Sequence, residues 1–143
     1  MKTIKEVMTA GPVTVTLKDN IYEVAVKMRD NGTGFIPVVD SEGSDQLIGV
    51  VTDRDLVIRG YAAKHSGSTA IETVMSKELR TVTEDTSVDE AAEIMAAGQV
   101  RRLPVVSGKK LIGIVSIGDL AVRNIFADEA GEALSSISQQ TLH

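Results

Sequence analysis

Apolar residues recur along this chain at two periods, and the succession of periods is written out twice. Ile21, Val24, Ala25 and Met28 fall at i, i+3, i+4 and i+7, which gathers them on one helix face, and Val88, Ala91, Ala92 and Met95 repeat the stripe. The methionines in these stripes read as core. Asn20 with Glu23 and Ser87 with Glu90 have capping-box spacing ahead of each stripe. Gly32 and Gly98 suit the helix ends, where glycine enters the left-handed backbone at little cost. Two short apolar runs follow in each copy, 35–39 with 47–51 and 102–106 with 111–115. Their near-continuous character predicts strands buried on both faces. A second helix is expected over 53–62 and 117–127, so each copy reads strand, helix, strand, strand, helix.

The register of the repeat is fixed by short matches. Val7-Met8 answers Val74-Met75, Thr14-Val15-Thr16 answers Thr81-Val82-Thr83, and Pro37-Val38-Val39 answers Pro104-Val105-Val106, all at an offset of 67 (74 − 7). Leu47-Ile48-Gly49 then meets Leu111-Ile112-Gly113 at an offset of 64 (111 − 47), so the first copy has the longer turn. Residues 40–46 and 107–110 are both rich in turn formers and predict hairpins between antiparallel strands. The organisation read from this is a first repeat over 1–66, a second over 67–127, and a polar Ser/Gln-rich tail over 128–143. Repeats this small cannot bury their helices alone. They are expected to pack as one globule with approximate two-fold symmetry, the cleft between copies being the natural place for a ligand.

Composition narrows the chemistry. At 43% hydrophobic and 24% charged residues, the 143-residue chain has the balance of an ordinary globular domain. It contains no cysteine, and His65 and His143 form no motif, so no metal site is expected. Residues 1–9 mix charged with isolated apolar side chains, and no long apolar run occurs, which leads to the expectation of a cytoplasmic protein without a membrane segment. A net charge of −5 disfavours a general nucleic-acid surface, although Arg101, Arg102, Lys109 and Lys110 form a local basic cluster. Gly32-x-Gly34-x-x-Pro37 imitates a dinucleotide fingerprint, but it follows a helix and leads into a strand, the reverse of the required order. No catalytic residues are assigned, because no nucleophile, acid–base pair or Walker-type loop converges in the sequence.

The most pointed segments are Gly49-Val50-Val51-Thr52-Asp53-Arg54-Asp55 and Gly113-Ile114-Val115-Ser116-Ile117-Gly118-Asp119. In each, a strand runs into a helix through a hydroxyl residue with an acid three positions on. Thr52 with Asp55, and Ser116 with Asp119, fit helix N-caps. The same geometry also offers free N–H groups to a phosphate and a carboxylate to ribose hydroxyls, and the two readings are compatible. Arg59 reads as a helix-surface residue paired with acids.

In this doubled order the chain resembles the CBS (cystathionine β-synthase) domain family in its stand-alone tandem-pair form, over about residues 1–126. The resemblance is carried by Val7-Met8-Thr9 and Val74-Met75-Ser76, by Phe35-Ile36-Pro37-Val38-Val39 and Arg102-Leu103-Pro104-Val105-Val106, and by the two segments that end in Asp55 and Asp119. It implies an α/β (α+β) fold of two βαββα repeats, packed as a pseudo-two-fold pair with small mixed three-stranded sheets. It further implies clefts for AMP, ADP, ATP or another adenosyl ligand such as S-adenosylmethionine as effector, no catalytic cofactor, a homodimer, and an effector protein that reads the ligand state.

Carried over residue by residue, the resemblance gives Asp55 and Asp119 to ribose, Thr52 and Ser116 to phosphate, and the backbone around Thr14 and Thr81 to adenine. Arg101 and Arg102, just before Pro104, match the basic position that neutralises phosphate. The family's arrangement would put Arg102 with Thr52 and Asp55 in the better site, and Arg101 with Ser116 and Asp119 in the other. The first copy departs here, with Gly34 and Phe35 before Pro37, so Phe35 becomes an apolar wall and the sites are expected to be unequal. The alternative to a sensor is a ligand-free dimerisation scaffold that modulates a partner protein.

Overall fold

In the computed structural model, which describes residues 2–122, the chain divides into two compact units. The first comprises Pro12–Leu79 with Lys109–Leu111, and the second Met1–Gly11, Arg80–Gly108 and the chain from Ile112 onward. The expected tail, 128–143, and the end of the expected closing helix lie outside the described residues.

The first unit is built on a three-stranded sheet of order β2-β3-β4, where β2 is Val15–Thr16, β3 Phe35–Val39 and β4 Leu47–Thr52. β2 runs parallel to β3 with Val15 opposite Val38, and β3 runs antiparallel to β4 with Phe35 opposite Thr52. Between β2 and β3, helix α2 (Ile21–Asn31) buries Ile21, Val24 and Met28. Its start is a complete capping box between Asn20 and Glu23, and its end is Gly32 at φ 62°, as the spacing predicts. Ala25, expected on the buried face, is exposed. After β4 comes helix α3 (Asp53–Asp55), which continues as π-helical backbone over Leu56–Tyr61, with Ala62 N–H donating to the Val57 carbonyl at 2.8 Å. A 3₁₀ turn at Ile71–Thr73 returns Ile71, Val74 and Met75 to this unit's core beside Val24, Ile36 and Val51.

In the second unit the sheet has the order β1-β7-β6-β5, from β1 (Thr9–Ala10), β5 (Val82–Thr83), β6 (Arg102–Ser107) and β7 (Lys110–Ser116). Helix α4 (Val88–Gly98) buries Val88, Ala91, Ala92 and Met95, the stripe read from the sequence. Ser87 caps it through the Glu90 N–H at 3.1 Å. Its left-handed terminal residue is Gln99, at φ 53°, and not Gly98. The Arg80 side chain lies over Gly98, where a Cβ would stand 2.8 Å from its Nε. Helix α5 (Ile117–Val122) follows β7 directly.

Two features depart from the expected pattern of small three-stranded sheets with strands buried on both faces. β3 and β6 are buried through most of their length, but β4 and β7 alternate between buried and half-buried positions. The second sheet also gains a fourth strand, because β1 pairs antiparallel with β7, Thr9 opposite Ile114. The short helix ahead of it, α1 (Ile4–Val7), places Ile4 and Val7 in a core with Val105, Val115 and Leu120. In the first unit the corresponding contact is a single bridge, Ser76 to Val50.

Candidate functional site

At one end of the first unit's sheet, the order β2-β3-β4 brings three adjacent strand ends together: the residue ahead of β2, the start of β3 and the end of β4. These carry Thr14, Phe35 and Thr52. β4 passes into α3 through a closed capping box. Asp55 N–H donates to Thr52 Oγ1 at 3.1 Å and Thr52 N–H donates to Asp55 Oδ2 at 2.9 Å. Both residues are half-buried. The box turns the carboxylate back over the strand end and leaves Oδ1 as an acceptor for another donor.

The second unit repeats this with β5, β6 and β7. Ser116 N–H donates to Asp119 Oδ2 at 2.8 Å, and Asp119 N–H donates to Ser116 Oγ at 3.1 Å. Thr81 precedes β5, and Arg101 and Arg102 stand at the start of β6 with exposed side chains. The Ile117 N–H donates to the Arg101 carbonyl at 2.8 Å, so Arg101 is held beside the first residue of α5. The corresponding bond in the first unit joins Asp53 N–H to the Gly34 carbonyl at 2.9 Å.

That shared bond exposes a difference the repeat matches alone left unread. A Cβ on residue 34 would lie 2.6 Å from Asp53 Oδ2 and 2.8 Å from its Cγ, so a side chain at position 34 would displace the exposed Asp53 carboxylate. Asp53 Oδ1 in turn accepts from Arg54 N–H at 2.8 Å. Where the second unit has Arg101 over a half-buried Ile117, the first has no side chain over an exposed acid.

Lys27 is a second residue that sequence reasoning passed over. Its Nζ donates to the Thr14 carbonyl at 2.9 Å, which engages backbone that the family resemblance gives to adenine. One repeat later its place is taken by Ile94, so the Thr81 carbonyl has no such ammonium. Thr14, Thr16, Lys18, Lys27, Asp40 and Asp45 line a recess of about 540 Å³ beside the long hairpin turn. Within that turn the Ser44 hydroxyl donates to Asp40 and, with the Ser41 and Gln46 N–H groups, holds the Asp40 carboxyl below its usual range. Arg59, read as pairing with acids, instead reaches the carbonyls of Val74 and Met75 at 3.5 and 3.4 Å. Among the described residues there is no group of three or more His, Cys, Asp or Glu arranged to hold a metal ion, and no helix long and apolar enough to cross a membrane.

The fold and the doubled turns meet a family model over most of the chain: the CBS domain model matches residues 4–60 and again 71–123. This protein belongs to the CBS domain family and carries the repeat twice. It is 50% identical to the protein YlbB of Bacillus subtilis (strain 168), over 97% of this chain and 93% of that one. It is 40% identical to the CBS domain-containing protein YhcV of the same organism over the full length of both. Among solved structures it resembles CBSX2 in complex with AMP, with 25% identity and a TM-score of 0.76 over 90% of this chain and 99% of the other. It also resembles the CBS domain pair of MJ0100 in complex with 5′-methylthioadenosine and S-adenosyl-L-methionine, with 25% identity and a TM-score of 0.74 over 90% and 98%.

Proposed function

We propose that this protein is a regulatory binding module, not an enzyme, whose effector is an adenine nucleotide (AMP, ADP or ATP) or a related adenosyl ligand. The observation that carries this reading is the doubled strand–helix turn, in which Thr52 with Asp55 and Ser116 with Asp119 each present a half-buried carboxylate with one oxygen left to accept from a ligand. The ligands named for CBSX2 and for the MJ0100 pair all carry adenine on a ribose with a free 2′,3′-diol, which supports that diol as the common partner of those acids. In this reading Asp55 and Asp119 take the ribose, Thr52, Ser116, Arg101 and Arg102 take phosphate, and the segments at Thr14, Thr81 and Phe35 meet the base.

The output is a change in a partner's affinity, bounded by the ligand's differential affinity for two states of the module. The protein acts in the cytoplasm as a homodimer. Val57, Ile58 and Tyr61, exposed on one helix of the first unit, supply the apolar face for association. An effector protein reads the ligand state, and no catalytic cofactor enters.

The scaffold reading has one observation in its favour: both capping boxes are closed by the protein's own groups, so the turns are complete as structural elements. A thermal-shift panel with AMP, ADP, ATP, adenosine and S-adenosylmethionine separates the two. A ligand at about a hundred times its Kd adds ~2.7 kcal/mol of stability and a clear rise in Tm. No shift with any of them, in protein that also carries no bound nucleotide, favours the scaffold.

A further inference from the structure

Lys27 and Ile94 hold the same place in the two repeats, at the offset of 67 (94 − 27). Lys27 donates from Nζ to the Thr14 carbonyl at 2.9 Å, whereas Ile94 packs on the core of the second unit and offers the Thr81 carbonyl no donor. We propose that Lys27 is a base-specificity residue. It turns the Thr14 segment from one that suits a 6-amino purine into one that suits a 6-oxo purine, so that the first unit takes a nucleotide of the IMP type while the Thr81 segment keeps the adenine nucleotide. This deepens the sensor reading and rests on it, in taking from it that the Thr14 and Thr81 segments meet the base.

Donors and acceptors decide the match. A bare backbone carbonyl accepts and the exocyclic group of a 6-amino purine donates, so the two suit each other. At Thr14 that acceptor is already engaged, and the group presented in its stead is an ammonium, which has three N–H donors and no acceptor. The Thr14 carbonyl takes one of the three. Among the described residues no carboxylate pairs with Lys27, although Asp19, Asp40 and Asp45 line the same recess. Asp19 instead accepts from Thr16 N–H at 2.9 Å, and Asp40 from the Ser41 N–H and the Ser44 hydroxyl within its own turn. The half-buried ammonium therefore keeps N–H donors for a ligand. The exocyclic oxygen of a 6-oxo purine accepts from it, where the amino group of adenine meets a second donor. Moving Lys27 aside to free the carbonyl forfeits a charge-assisted bond, a loss that falls on adenine and not on the oxo base.

Thr14 and Lys27 line one recess of about 540 Å³, a volume within the range of small-molecule sites, so carbonyl and ammonium face a shared space. The contrast does not depend on where Arg101 and Arg102 stand or on the acids that take the ribose. AMP and IMP carry the same ribose and phosphate and differ at the base alone. One hydrogen bond to a charged group, discounted for its half-buried position, shifts the choice between the two bases by roughly tenfold.

The test is a titration of the native protein, Lys27→Met and Lys27→Arg with AMP and, separately, IMP, read from the Thr14 and Thr81 backbone amide signals. In the native protein the ratio of AMP affinity to IMP affinity should be roughly tenfold lower at Thr14 than at Thr81. Lys27→Met, which keeps an unbranched side chain and removes the charge, should raise the ratio at Thr14 by the same factor and leave Thr81 unmoved. Lys27→Arg, which keeps a charged donor, should hold the ratio at Thr14 low. Equal ratios at the two amides in the native protein, or a ratio at Thr14 that ignores Lys27→Met, overturn the base-specificity role and leave the sensor reading in place. So does a Thr14 amide that answers neither nucleotide while Thr81 answers AMP. Should Lys27→Met disturb α2, the native comparison alone decides. Failure of AMP, IMP and S-adenosylmethionine alike to move either amide in the native protein overturns the sensor reading and this inference with it.

Discussion

Met8 lies against Gly113 as Met75 lies against Gly49. A Cβ on either glycine would meet the methionine Sδ at 2.9 Å and also a backbone carbonyl oxygen, that of Thr9 at 2.8 Å for Gly113 and that of Ser76 at 3.0 Å for Gly49. The methionine of each Val-Met pair and the glycine of each Leu-Ile-Gly run are therefore two halves of one contact. In each case the opening segment of one repeat packs on a strand of the other. Neither glycine has a positive φ, so close approach, not backbone freedom, requires it.

Gly113→Ala should destabilise the protein by about 1–3 kcal/mol, the range for overpacking against groups that cannot retreat. Gly49→Ala should cost less, because the nearer atom is a flexible thioether and the carbonyl stands slightly farther off. Urea denaturation of both variants measures the order. An equal or reversed order would show that β1 yields more readily than its pairing with β7 suggests.

Ser116→Ala removes a helix cap and, on the proposed function, a phosphate contact, so its two effects need separating. Ser87 caps α4 through the Glu90 N–H at the same 3.1 Å that Ser116 Oγ keeps from the Asp119 N–H. Each alanine should cost ~1 kcal/mol of stability. Only Ser116→Ala should also weaken AMP binding in calorimetry, and equal affinities for the two variants would reduce Ser116 to a cap.

Arg101→Ala and Arg102→Ala should each lower AMP affinity by roughly tenfold and leave adenosine affinity within about twofold, since a charge-assisted bond to phosphate has no counterpart in the nucleoside. Parallel losses for both ligands would point to a structural role for the β6 start.

Tyr61 is 84% exposed and Ile58 54%, on π-helical backbone of the first unit. Ile58→Glu with Tyr61→Glu should leave the unfolding midpoint nearly unchanged, as expected of exposed positions. Light scattering should then show the native dimer becoming a monomer. A monomeric native protein at high concentration would remove homodimerisation from the proposed function.

Much of the fold was legible because its signals are local. The α4 stripe, the Asn20–Glu23 box, the start and end of β3 and the left-handed Gly32 each follow from spacing within a few residues. Gly98 misled because the left-handed residue falls one position later, at Gln99, and Ala25 because a small residue beside a stripe is as easily placed outside it. The fourth strand was not legible: nothing in Thr9-Ala10 distinguishes a strand from a connection until β7 is beside it. At the candidate site, the caps were visible as hydroxyl–acid spacing. The pairing of Asp53 with Gly34 was not, because only the fold joins the two.

The second unit is assembled from opposite ends of the described chain, and this sets the order in which it can form. A ribosome releases Ile4 and Val7 long before Val105, Val115 and Leu120 exist to cover them, so these side chains wait uncovered while the intervening repeat is made. That core closes over some of the longest sequence separations among the described residues, which places it among the slow steps of folding. Scission at the seam read from the sequence, after residue 66, would strand the first strand of the second sheet on the wrong fragment. The repeats are a pair in sequence, but the chain can complete the second only by returning to its own beginning.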